Sequence, residues 1–167
     1  MNIEATYSYL TRARRDLWST LESTSNEVLV RDLIGGPRFH CIKDLLFHIP
    51  NVEDGWINGD IRRGTLVQDS FASLCKAGPD FSGFALGTLL DYWQHVEQFT
   101  LAWLHTLTSA DLNNTVPVDD WPEKNFTVDG LFSHVMIHEI RHTAQIAILL
   151  RTQGIKPPSL DLLFYLP

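Results

Sequence analysis

The sequence predicts an all-α protein organised as a four-helix bundle. Four long segments place apolar residues at three- and four-residue steps, the alternation expected of strands is almost absent, and glycine and proline punctuate the stretches between. A helix with one apolar stripe must bury it against another, and four such helices close a core.

The first helix is expected from Asn2 to about Thr24, with Ile3, Tyr7, Leu10, Leu17 and Leu21 on one side and Arg12, Arg15, Asp16 and Glu22 elsewhere. Arg12, Arg14 and Arg15 form a basic cluster that reads as a solvated helix face. Gly35-Gly36-Pro37 interrupts the chain, and a second helix is expected from about Phe39 to Ile61 with Ile42, Leu45, Ile49, Val52 and Trp56 inward. His48 borders that stripe. Pro50 removes a backbone donor inside the pattern, which predicts a kink or local 3₁₀ geometry just after His48.

Residues 62–82, broken by Gly64, Gly78 and Pro79, read as a connection with a short helical piece at Phe71-Ala72-Ser73-Leu74. The third helix is expected from Phe84 to Leu107, with Leu89, Trp93, Val96, Thr100, Trp103 and Leu107 along one face; its many aromatic rings read as core packing. Asp111 to Phe126 holds Asn113-Asn114, Pro117, Asp119-Asp120 and Pro122, so it reads as a long loop with an extended piece at Thr115–Val118. Thr127 is a good N-cap for the fourth helix, Asp129 suits its first turn, and Gly154 followed by Pro157-Pro158 ends it.

At 167 residues the chain reads as one domain, residues 1–167, able to bury a core without disulfides. No apolar run approaches a membrane span, and Met1-Asn2-Ile3-Glu4-Ala5 shows no secretory pattern, so a cytoplasmic location is expected. Cys41 and Cys75 have no metal-site spacing and read as free thiols. A formal charge of −7 argues against a nucleic-acid partner, which calls for a basic footprint.

The chemistry is concentrated in His134-Val-Met-Ile-His138-Glu-Ile-Arg-His142. At about 100° per residue His138 and His142 fall one turn apart on one face, within reach of one metal ion, and on the stripe formed by Leu131, Val135, Ile146 and Leu149. Gln145 stands beside them, and His48 offers a third imidazole from another inward face. Three imidazoles and one open position describe a catalytic zinc site rather than a closed structural one, although such donors also suit nickel, iron or copper. Cys41, two turns before His48, is poorly placed to be a fourth ligand, and His40, His95 and His105 lack companions.

His138-Glu139-Ile140-Arg141-His142 also fits the H-E-x-x-H pattern of zinc proteases, with Glu139 as base. That reading is disfavoured, because the helical patterns leave no sheet edge for a peptide and only Asp161 follows as a further ligand. A di-iron carboxylate site would need a second E-x-x-H, and there is none.

The chain resembles the DinB family, the DinB/YfiT-like metalloenzymes. Leu45-Leu46-Phe47-His48-Ile49 with Glu53 and Trp56 looks like the family's second-helix signature. His134-Val135, His138, His142, Gln145, Leu149-Leu150-Arg151 and Gly154 resemble its last-helix signature, and Pro158–Leu166 its closing segment. The family often has His-Arg-Gly-Gln where this chain has His142-Thr143-Ala144-Gln145.

The resemblance implies a four-helix bundle of up-down-down-up type with short connecting segments, and a divalent metal, zinc or nickel, on His48, His138 and His142. It implies an enzyme that takes a small-molecule substrate. One form is a thiol S-transferase using a low-molecular-weight thiol of the bacillithiol or mycothiol type, whose pKa the metal lowers. Two others are a hydrolase that activates water with Glu53 or Glu139 as base, and a non-catalytic bundle that only binds a metal or small molecule. Thiol transfer is favoured, since no general base is assured near the metal: about 140° of helix rotation separates Glu53 from His48. Glu53, His134, Glu139 and Gln145 are then expected behind or beside the ligands, orienting them or packing helices. The resemblance also implies a homodimer.

Overall fold

A computed structural model of the chain describes residues 2–36, 38–76, 78 and 80–166; Pro37, Pro79 and the Cys75 side chain, read above as loop punctuation and a free thiol, lie outside the described residues. Six α-helices are found there: α1 (Ile3–Glu22), α2 (Asn26–Leu29), α3 (Ile42–Asp54), α4 (Ala72–Cys75), α5 (Leu86–Leu104) and α6 (Val128–Thr152). A π-helical stretch, Gly55–Ile61, continues α3, and 3₁₀ turns occupy Val67–Ser70, Asp111–Asn113 and Leu162–Tyr165. Strands β1 (Thr115–Val116) and β2 (Phe126–Thr127) pair antiparallel, Thr115 opposite Thr127. The protein is mostly helical with little sheet.

Local signals explain the starts of α1 and α6. The Asn2 side chain accepts a hydrogen bond from the Ala5 amide at 3.0 Å, and Thr127 accepts one from Gly130 at 3.1 Å, each meeting one of the orphan donors of a first turn. Gly154, at φ 76°, supplies the left-handed residue just past α6 that lets the chain leave the helix. The 3₁₀ geometry expected after His48 is not found. Residues 42–54 are α-helical through Pro50, and the departure from α geometry is π-helical and starts at Gly55. There Ile57 and Asn58 are buried and a side chain at Gly59 would crowd Leu66, so the wider turn sits in close tertiary packing.

The four long helices pack as α3 on α5 and α6, and α1 on α5 and α6. One apolar cluster gathers Leu17 and Leu21 from α1, Leu45 and Ile49 from α3, Leu89 and Trp93 from α5, and Ile146 and Leu150 from α6. A second gathers Tyr7 and Leu10 from α1, Ile57 from the π-helical stretch, and Phe132 and Met136 from α6, with Leu101 and Leu104 of α5 packed against it. Along the chain, α1 and α6 run from the second cluster to the first, while α3 and α5 run from the first to the second. Among the described residues no helix is long and apolar enough to cross a membrane.

The connecting segments are not short. Residues 62–85 and 105–127 are the two longest, and each sends apolar side chains inward: Val67, Leu74 and Phe81 from one, Val116 and Val118 from the other. Buried polar groups on α3 moor the first. Asp54 accepts hydrogen bonds from the amides of Val67 (3.0 Å) and Gln68 (2.9 Å), Asp44 accepts one from Phe81 (2.8 Å), and the Lys43 ammonium donates to the carbonyls of Ser82 (3.2 Å) and Phe84 (2.5 Å). A loop that must pass over a core needs its backbone groups satisfied, and α3 provides the partners. Asp54→Ala removes two amide partners in the interior and is expected to cost about 3 kcal/mol; urea unfolding showing a loss under about 0.5 kcal/mol would show that water replaces the carboxylate.

Candidate metal centre

His48 is carried by α3, and His138 and His142 by α6, two helices in direct contact. One nitrogen from each ring lies within 4.8 Å of the others, and the Nε2 atoms of His48 and His138 are 3.0 Å apart. His138 and His142 are buried and His48 is half-buried, so the cluster sits where the core meets the surface. Burial first, then the neighbouring ring of His142 and the charges of Arg38 and Arg141, push the His48 pKa down to about 4. Burial and the neighbouring imidazoles push His138 down to about 3, and burial lowers His142. The three rings are neutral near pH 7 and each keeps one bare nitrogen.

Gln145 Oε1 lies 2.6 Å from His142 Nδ1. An amide oxygen only accepts, so Nδ1 carries the proton and the Nε2 lone pair is left for another partner. Phe39 covers the cluster, its ring 4.5 Å from that of His48 and 5.8 Å from that of His142. Its φ of 60° is a left-handed conformation that costs a non-glycine residue about 1–3 kcal/mol, the kind of strain that collects at sites a fold holds in place.

His134 is exposed, its ring 6.1 Å from His138 and 5.6 Å from Trp56. It lines a cavity of about 410 Å³ with Trp56, Trp121, Phe126 and Leu131. Trp56 and Trp121 stack there at 6.0 Å, giving the cavity an aromatic wall. Cys41 is buried at the N-cap of α3, outside the histidine cluster, and burial raises its pKa.

Glu53 and Glu139 turn to a different partner. Arg14, expected on a solvated face, is fully buried and sits among three carboxylates. Its guanidinium donates to Glu53 at 3.0 Å, to Glu97 at 2.9 Å and to Glu139 at 2.7 and 2.5 Å. The Tyr7 hydroxyl donates to Glu53, and Arg15 closes on the second oxygen of Glu97. Burial would pull the Arg14 pKa down, but Glu139, Tyr7 and Glu53 outweigh it and hold the charge. The same burial pushes Glu139 up against the pull of Arg14. With Glu139 turned to Arg14, the H-E-x-x-H sequence does not assemble a metal with a neighbouring base.

The burial of Arg14 was readable. Tyr7, Leu10, Arg14, Leu17 and Leu21 step by three and four, so Arg14 occupies a core position of the first helix. Reading it as one of three clustered arginines hid that spacing. Glu97 gave the same signal between Trp93 and Thr100.

A mostly helical chain that gathers three neutral imidazoles from two packed helices is, as a class, a helical candidate metalloprotein. The model of the DinB family matches residues 1–167, and the chain belongs to the DinB family. The fold is similar to that in a crystal structure of a conserved protein from Enterococcus faecalis, with a TM-score of 0.69 at 15% identity, covering 90% of this chain and 96% of that one. None of the curated proteins matches the sequence.

Arg14→Met leaves three carboxylates in the interior without their cation and is expected to cost about 3–5 kcal/mol in chemical denaturation. Adding Glu53→Gln, Glu97→Gln and Glu139→Gln should recover much of that loss; a single variant as stable as the parent would remove the network from the list of what holds the helices.

Proposed function

We propose that the chain is a four-helix bundle of up-down-down-up order that binds a divalent metal ion, zinc or nickel, through His48, His138 and His142 and transfers a low-molecular-weight thiol to an electrophile. The bundle reading is supported by the closed ring of contacts among α1, α5, α3 and α6 and by their opposed directions through the two apolar clusters. The observation that carries the metal is the convergence of three imidazole nitrogens within 4.8 Å.

The residues fit such an ion. The rings are neutral, His142 is held in one tautomer by Gln145, and three nitrogen donors leave a position open. When bound, the ion supplies Lewis acidity that lowers the pKa of a thiol at that position, so that a thiolate is present near neutral pH. The chain contributes the rest. Phe39 and the buried α3–α6 seam limit water at the rings. The thiol proton leaves to solvent, sulfur forms a bond to the electrophilic carbon, and the leaving group departs with its electron pair. The aromatic cavity beside His134 has the size and lining to hold an apolar electrophile.

Thiol transfer is preferred over hydrolysis because activating water calls for a positioned base, and Glu53 and Glu139 are both engaged by Arg14. An exposed apolar surface supports a homodimer: Ile137, Ile140, Leu162, Leu163, Phe164 and Leu166 are exposed, and Ile140, Leu162 and Leu166 share a groove of about 840 Å³ with α1. The chemistry of a free thiol cosubstrate suits a reducing compartment such as the cytoplasm.

Elemental analysis of the purified protein should give about one zinc or nickel per chain, falling at least tenfold in His138→Ala. With bacillithiol, mycothiol or glutathione and monochlorobimane, metal-dependent thiol consumption is expected and should fall at least about a hundredfold in that variant. Cleavage of an ester panel that needs no thiol, yet is lost in the same variant, would replace the transferase by a hydrolase. Light scattering should give twice the chain mass; a monomer mass at every concentration would reject the dimer.

A further inference from the structure

In a chain of formal charge −7, the cations left over from ion pairing are informative. Arg14 and Arg15 pair with Glu97, Arg31 with Glu27 and Arg63 with Asp119, while Arg62 donates to Asn58 and Arg12 to the Tyr165 carbonyl. Arg38 and Arg141 are exposed and, among the described residues, have no acidic partner. Both nevertheless stand at the imidazole cluster, approaching it from different elements. The Arg38 guanidinium lies 4.8 Å over the Phe39 ring that covers His48 and His142, and lines a cavity of about 170 Å³ with His48, Asn51 and Asp44, whose carboxylate is engaged by the backbone amides of Cys41 and Phe81. Arg141 Nη2 is 3.3 Å from His142 Nε2.

Two like charges at one imidazole cluster, neither in an ion pair, repel, and each presents a planar fork suited to a carboxylate. We propose that Arg38 and Arg141 form an anion subsite of the three-histidine centre, and that its thiol cosubstrate carries a carboxylate within reach of the sulfur. The proposal rests on the metal and thiol reading above and adds the charge of the ligand to it. His142 sharpens it. Its Nδ1–H is committed to Gln145, so Nε2 is the ring's one acceptor, and that lone pair cannot serve a metal ion and Arg141 together. Giving it to a metal frees the Arg141 fork for an anion, which couples cation and anion affinity with the same sign.

Calorimetric titration of the full chain with zinc, succinate, inorganic phosphate and neutral succinamide tests this. Succinate should bind the zinc-loaded protein more tightly than the zinc-free protein, and succinamide not at all. Arg38→Ala with Arg141→Ala should weaken succinate by about tenfold to a hundredfold, whereas Arg151→Ala, an exposed arginine in the last turn of α6, should leave it unchanged. The double variant should also raise KM for mercaptosuccinate and not for 2-mercaptoethanol. Equal succinate binding by the double variant, or an equal loss in Arg151→Ala, overturns the subsite; tighter binding of phosphate than succinate overturns the carboxylate. A wild-type protein that takes no zinc refutes the metal reading alone, and succinate binding lost in the double variant would still uphold the arginine pair.

Discussion

The structure depends on one guanidinium. Arg14 from α1 meets Glu53 from α3, Glu97 from α5 and Glu139 from α6, so a single buried cation receives a carboxylate from each of the other long helices. Apolar stripes alone tolerate a helix sliding by a turn with modest loss, because one leucine contact resembles the next. Buried charges do not, since a slip strands an ion in a medium that solvates it poorly. The layer lies between the two apolar clusters and fixes the axial position of all four helices against one another.

That register is what brings the imidazoles together. Glu53 lies five positions beyond His48 on α3, and Glu139 lies directly between His138 and His142 in the sequence of α6. Locking Glu53 and Glu139 onto one guanidinium therefore sets how far α3 can move along α6, and with it the 3.0 Å approach of His48 to His138. In carboxylate bundles that hold metals in the core, acidic side chains converge on ions. Here they converge on a cation attached to the chain, so the register does not wait for an ion to bind.

Most of the fold was legible because its signals are local and periodic. The stripe of α6, the Thr127 cap and the Gly154 stop each follow from a few neighbouring residues, and the structure has them. The consequence of Pro50 was harder to read. Its missing donor concerns one bond, while the π turn beginning at Gly55 sits in tertiary packing around Ile57 and Asn58. The site divides in the same way. His138 and His142 are close by helix geometry, and His48 could be named from the border of its stripe, but the roles of Glu53 and Glu139 depend on Arg14, more than thirty residues from either in sequence. Phe39, Arg38 and Arg141 join the site through a loop conformation and a surface side chain, neither of which leaves a periodic trace.

At Phe39 backbone ease and side-chain cover pull in opposite directions. A glycine at that position would adopt φ near 60° without penalty, so the loop before α3 would gain conformational ease. It would also strip the ring from above His48 and His142 and open them to bulk solvent. A bulky residue in a conformation that suits glycine couples local backbone strain to the cover over the imidazoles, so thermostability engineering at this loop would trade directly against the screening of the centre.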